Sequence, residues 1–291
     1  MRIEELSLGV KAFVRPDEGA NVGFIDTDKG WIVIDTTSSP AEIQALLDAA
    51  GVKPEEICLV INTHYHADHT WGNQVFDCPI LAHRLCRDRM KANLKGSWSP
   101  AGIAKMLDEY EARDPTAATE LRQKLTDLSI TLPTEVIAGH RALRLGNVRI
   151  ELIHLDGHTP GSVIVWLPDA TVLYAGDLLF IGRYPYISDA DTPSLIEALK
   201  KLLGFKATKI VPGHGPLCGV PEVVKLRNYL QSTWGWTKDQ LKKGRSIEEI
   251  ASDRAAPRYV EEDQPRGRRE ENIRVMAEQI AQIIEKDVQM G

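Results

Sequence analysis

Residues 64–69 read His-Tyr-His-Ala-Asp-His, and an apolar run, ICLVINT (Ile57–Thr63), delivers the chain straight into them. A run of that length and character is a buried strand. Four potential metal ligands therefore stand at a strand end, the position of a site at a sheet edge where loops converge. On extended backbone, residues two apart point the same way, so His64 and His66 can grip one ion together. A turn after them carries Asp68 and His69 to a neighbouring point, where they can grip a second. Imidazole and carboxylate suit zinc, iron or manganese.

The rest of the chain alternates strands with helices. Strand-like runs at Leu6–Arg15 and Val22–Thr27 precede WIVIDT (Trp31–Thr36). A helix follows, with Ser39 as N-cap, Pro40 in the first turn, Glu42 completing a capping box and Gly51 as the stop. PILAHR (Pro79–Arg84) is a further candidate strand, and residues 85–128 read as a helical insertion. Strands resume at Leu143–Leu155, Val163–Leu167 and Thr171–Ala175. A helix at Pro193–Leu203, a strand KIVPGH (Lys209–His214) and C-terminal helices over about 221–291 complete the chain, with a charged loop at Arg254–Arg269. Ile273, Met276, Ala277, Ile280, Ile283 and Ile284 form one stripe that predicts docking of the last helix. Two β-sheets face to face, with helices outside both, bury this pattern economically. With no Gly/Ser linker in the sequence, residues 1–291 read as a single domain.

Composition narrows the partners. Net charge is −6 over 291 residues, which argues against nucleic acid and leaves room for a small-molecule substrate. The first residues do not form a secretory signal, and no segment has the roughly 20 apolar residues needed to span a membrane. Cys58, Cys78, Cys86 and Cys218 are scattered without a CxxC pair, so reduced thiols and a cytoplasmic location are expected.

THYHADH resembles the HxHxDH signature of the metallo-β-lactamase superfamily. GHTPGS (Gly157–Ser162), AGD (Ala175–Asp177) and PGHGP (Pro212–Pro216) follow in that family's order, so the resemblance spans about Asn21 to Pro216. It implies an α/β fold, a four-layer αββα sandwich of two mixed sheets flanked by helices. It also implies one metal on His64, His66 and His158, a second on Asp68, His69 and His214, and Asp177 as the bridge. Five of the eight histidines fall within these motifs. His83 and His140 read as structural residues, and His154 as a core residue or a support for a ligand.

Two cations roughly 3.5–4 Å apart lower the pKa of a shared water, and the resulting hydroxide attacks a carbonyl or phosphoryl centre. In such a centre Asp68 would ligate, orient the nucleophile and pass a proton. Zinc is the first expectation, with iron or manganese compatible. The carboxylate at Asp177 resembles the glyoxalase II and lactonase branches more than the β-lactamases proper. The expected reaction is hydrolysis of an ester-like bond, a thioester or lactone, with side activity on β-lactams. A mononuclear iron dioxygenase acting on a thiol or persulfide, and a metal-binding regulatory protein with little turnover, remain as alternatives. Arg183, Tyr184 and Tyr186 are candidates to line the pocket, Trp71, Trp98, Trp234 and Trp236 to form an apolar wall. Cys218 is not needed as a ligand. The 85–128 block could serve as lid, packing or homo-oligomer contact.

Overall fold

Alternation within single strands sets the layers. In the strand Gly30–Ile34, Ile32 and Ile34 face one core and Val33 another; in Ile57–Ile61, Leu59 and Ile61 are split from Val60 in the same way. The structure, a computed structural model, describes residues 2–15, 19–262 and 266–290, with side chains described up to Lys286. Strands β1 (Arg2–Ser7), β2 (Val10–Val14), β3 (Val22–Thr27), β4 (Gly30–Ile34), β5 (Ile57–Ile61), β6 (Ile80–His83) and β7 (Glu135–Ile137) lie side by side in chain order. The first four are antiparallel, and β4 to β7 are parallel. A second sheet runs in the order β12 (Lys209–His214), β11 (Val172–Phe180), β10 (Val163–Leu167), β9 (Val148–His154), β8 (Arg141–Leu145), with only the β11–β12 pair parallel.

Between the sheets, Ile25, Ile32 and Ile61 meet Ile150, Val165 and Val211. Each such side chain, fully buried, contributes roughly 1.5–3 kcal/mol. On the outer face of the first sheet, Ile43 and Leu47 of α1 (Pro40–Ala50) pack on Phe24 and Val60. On the outer face of the second, α6 (Thr192–Leu202), α7 (Val220–Lys242) and α9 (Arg268–Met290) bring Leu199, Leu226 and Met276 against Ile164 and Leu173. The result is an αββα sandwich. A short α2 (Ala67–Thr70) lies at the edge, α3 (Arg84–Asn93), α4 (Pro100–Glu111) and α5 (Pro115–Lys124) cluster over Trp71 and Ala82, and α8 (Ile247–Ala251) packs beside α9.

Several local expectations change. Leu6–Arg15 is not one strand: Gly9, at φ +71°, turns β1 into β2. Gly146 divides 143–155 into the β8–β9 hairpin in the same way, and β7 has too few residues to show a period. Ser39 does cap α1, accepting from Glu42 N at 3.2 Å, but Glu42 does not close the box. Its carboxylate instead accepts from Ser38 Oγ at 2.6 Å and pairs with Arg15 and Lys124, since those charged partners are within reach. The stripe on α9 is buried only as far as Ile280. Ile283 and Ile284 are 43% and 38% exposed, because the helix outruns the body it docks on. Residues 254–262 are irregular, and part of the expected Arg254–Arg269 loop, residues 263–265, lies outside the described residues.

Candidate metal centre

Strand β5 ends at Ile61 and the chain reaches His64 three residues later, at the edge where β4 and β12 also end. His66 then caps α2, and the single helical turn swings Asp68 and His69 away from the direction of His64. The turn is anchored: His69 O accepts from Thr36 N at 2.9 Å and from Asn62 Nδ2 at 3.2 Å. Asn62 and Asn73 exchange hydrogen bonds beneath it. Gly72 leaves the necessary space, since a Cβ there would lie 1.9 Å from Thr36 O.

Asp177 arrives from the other sheet, inside β11 and not beyond it. The register of β11 on β12 breaks between Gly176 and Phe180, a bulge that re-aims the intervening side chain. Gly176 takes φ +53°, and Gly213 of β12 leaves room for the carboxylate, as a Cβ there would lie 1.8 Å from Asp177 Oδ1. His158 comes from the β9–β10 loop and His214 from the last residue of β12.

All seven side chains named in the sequence converge. His64, His66, His158 and Asp177 form one set of donor atoms and Asp68, His69 and His214 another, each set lying within 4.8 Å of itself. Asp177 Oδ2 stands 3.5 Å from His158 Nε2 and 3.4 Å from His214 Nε2, so one oxygen faces both sets. The imidazoles are held from behind. His69 Nδ1 donates to Asp35 at 2.8 Å, His214 Nδ1 to Gly19 O at 3.0 Å, and His66 Nε2 to Asp189 at 3.0 Å. Each arrangement turns the opposite nitrogen toward the centre, the usual way that metal-ligating histidines are oriented. His64 Nε2 is buried without a hydrogen-bond partner, and His69 Nε2 and Asp177 Oδ1 face only each other, at 3.1 Å and short of a formed hydrogen bond. Such atoms are costly to bury unpaired. A cation among them removes that cost, so these residues fit a metal.

The protons follow the same logic. Burial holds the His64 imidazole well below the usual histidine range, aided by His69, and pushes His158 down to about 3. For His69 burial acts the same way, but Asp177, Asp35 and Asp68 outweigh it and hold it well above that range. His214 is pushed up to about 9, Asp177 and Asp68 again overcoming burial. Asp68 and Asp177 are held low by these imidazoles despite desolvation. Without a cation, protons on His69 and His214 balance the carboxylates; a bound dication takes over that balance.

The family follows from a comparison with known proteins. A family model described as the metallo-beta-lactamase superfamily matches residues 15–214. The chain belongs to the metallo-beta-lactamase superfamily. It is a metal-dependent hydrolase of that superfamily. A probable metallo-hydrolase of Bacillus subtilis, YqgX, is 28% identical over 206 residues, covering 68% of this chain and 85% of the relative. A human acyl-coenzyme A thioesterase, MBLAC2, is 23% identical over 233 residues, 75% of this chain and 81% of its own. Among solved structures, the sec-alkylsulfatase Pisa1 from Pseudomonas sp. shares the fold with a TM-score of 0.73 at 16% identity, covering 95% of this chain and 49% of that one.

A cleft of about 510 Å³ opens over this edge, lined by Asp68, Asp177 and His214 at its base and by Tyr65, Trp98, Phe180 and Tyr186 on its walls. Arg183 and Tyr184 line it too. Trp71 lies in the core against Trp98, while Trp234 and Trp236 pack elsewhere. Cys218 bridges to Ile210, away from the ligand sets. His83 and His154 stack on each other at 3.9 Å, outside both sets, and His154 Nε2 donates to Pro160 O. Sequence reading missed Asp35, Asp189, Arg89 and Arg268. Asp35 had a signal, a carboxylate closing the apolar run WIVID; the other three had none. No helix among the described residues is long and apolar enough to cross a membrane.

Proposed function

We propose that this hydrolase holds two divalent cations, zinc before iron or manganese, and cleaves an ester-like bond in a small molecule, a thioester before a lactone. The observation that carries this reading is the position of Asp177, whose Oδ2 faces the His158 side of one donor set and the His214 side of the other. His64, His66 and His158 would hold one ion, Asp68, His69 and His214 the second, with Asp177 between them. Bound there, the cations would supply a water ionised near neutral pH and positive charge for the oxyanion that develops. Asp68, its side chain 35% exposed at the base of the cleft, is placed to take a proton from the nucleophile and return it to the leaving atom. The thioesterase relative supports a thioester as the first bond to try.

Both sheets contribute ligands, which supports a single domain, with the 85–128 helices walling one side of the cleft and the C-terminal helices another. Four free cysteines, Cys58, Cys78, Cys86 and Cys218, support a reducing, cytoplasmic setting.

The test is metal content by mass spectrometry on the purified protein, then a panel of thioesters, lactones, β-lactams and phosphodiesters. Two ions per chain with fastest turnover of a thioester is the expected result. One iron per chain, with oxygen uptake on a thiol or persulfide and no hydrolysis, overturns it.

A further inference from the structure

Although acidic residues outnumber basic ones 41 to 35 in the chain, the cleft gathers three arginines. Beyond Asp68 and Asp177 at its base, the described residues that line the cleft include Arg89, Arg183 and Arg268, and the carboxylate of Asp189. Two of these guanidiniums share one construction. Arg89, on α3, lies with Cζ 5.5 Å from the ring centroid of Tyr65, and Arg268, the first residue of α9, lies 4.9 Å from that of Tyr186. Both tyrosines stand edge-on to His66, at 4.7 and 5.4 Å. Each contact therefore sets a cation near a proposed metal ligand.

A guanidinium held over an aromatic ring has five N–H donors in a planar fork, and those not engaged by the protein can receive an oxyanion in two-pronged fashion. Arg89 makes no ion pair among the described residues and is exposed on the ridge between the cleft and an adjoining groove of about 420 Å³. Arg268 gives Nη1 to Glu271 at 2.7 Å. Asp189, the nearby carboxylate, is engaged by His66 Nε2 at 3.0 Å. Arg89 thus offers the mouth a guanidinium with no ion pair among the described residues.

We infer that the cleft selects a substrate that carries an anionic group, a carboxylate or other oxyanion, and that Arg89 and Arg268 are the residues that recognise it. This rests on the hydrolase reading above and adds the substrate's charge to it.

The experiment uses the full, metal-loaded chain and two thioesters of N-acetylcysteamine, glutaryl and glutaramoyl, which differ only in a carboxylate against its amide. The readout is the ratio of kcat/KM for the acid to that for the amide. Wild-type protein should favour the acid, Arg89→Gln and Arg268→Gln should each lower the ratio about fivefold, and added salt should lower it further. Arg89→Lys should restore only part of it, since an ammonium lacks the planar fork. Phosphate and sulfate, titrated as competitors of the glutaryl substrate, should lose potency in Arg89→Gln. A wild-type ratio of one, or an unchanged ratio in both glutamine variants with full metal content, overturns the inference. If neither thioester turns over, the ester reading fails instead. Calorimetry with glutarate against glutaramate then decides the anion site: tighter glutarate binding that Arg89→Gln abolishes supports it, and equal binding of the two overturns it.

Discussion

Asp35 holds His69 from behind: its Oδ2 accepts from His69 Nδ1 at 2.8 Å and from Thr63 Oγ1 at 2.7 Å, while Oδ1 accepts from Thr63 N at 2.7 Å. Asp35 closes the strand β4 at φ +62°, a conformation that Asp and Asn tolerate better than most residues. Asp35→Asn keeps that tolerance but puts an amide donor against at least one existing donor. Metal affinity should fall by about 10- to 100-fold, the range for losing such an orienting partner. Competitive titration against a chromophoric chelator measures it, and wild-type affinity would show that the Asp35–His69 contact does not orient a ligand.

Asp68→Asn preserves shape and one acceptor oxygen while removing the charge and the ability to take a proton. Turnover of the best substrate should drop about 10²–10⁴-fold, with metal content falling much less because His69 and His214 remain. Steady-state kinetics and elemental analysis on one preparation check both halves. Unchanged turnover at full metal content removes Asp68 from proton transfer.

Removing metal should cost stability as well as activity, because His64 Nε2 would then be buried without a hydrogen-bond partner and only imidazole protons would balance the buried Asp177. Free metal at about 100 times its Kd stabilises by about 2.7 kcal/mol. A chelated sample should therefore melt about 4 °C below the loaded one. Calorimetry with and without chelator reads this directly, and equal Tm values would contradict tight binding at these residues.

Gly72→Ala should be severe for steric reasons alone, since its Cβ would fall 1.9 Å from Thr36 O, which is backbone and cannot swing aside. We expect about 2–3 kcal/mol of destabilisation and a displaced His69. Chemical denaturation together with metal stoichiometry tests it; a stability change below about 0.5 kcal/mol would refute the close approach.

Glu42 supplies the pH dependence away from the metal. Burial raises its pKa, but Ser38, Arg15 and Lys124 outweigh it and hold the carboxyl below its usual 4.5. A group depressed in the folded state contributes stability above its unfolded pKa and loses it as pH falls through the folded one. Glu42→Gln should thus be less stable than wild type at neutral pH, by no more than about 1 kcal/mol. The gap should close as pH drops below 4.5. Melting curves of the two proteins across that range decide it; a gap that widens on acidification has the wrong sign.

The sequence by itself determined what local periodicity and ligand chemistry can carry. Buried strands such as Ile57–Ile61 declare themselves through apolar runs, and α1 through Ser39, Pro40 and Gly51. The donor types in residues 64–69 made a metal centre legible, because imidazole and carboxylate at a strand end have few other uses. Tertiary structure decided whatever depends on partners remote in the chain. His66 meets Asp189 across 123 positions, and no periodicity encodes that distance. Glu42 left the expected capping box because Arg15 and Lys124 came within reach only after folding. Asp177 is aimed by a bulge in β11 that exists only through its pairing with β12. Ile283 and Ile284 stayed exposed because a stripe fixes the face of a helix, while the extent of the body it meets fixes how much of that face is covered.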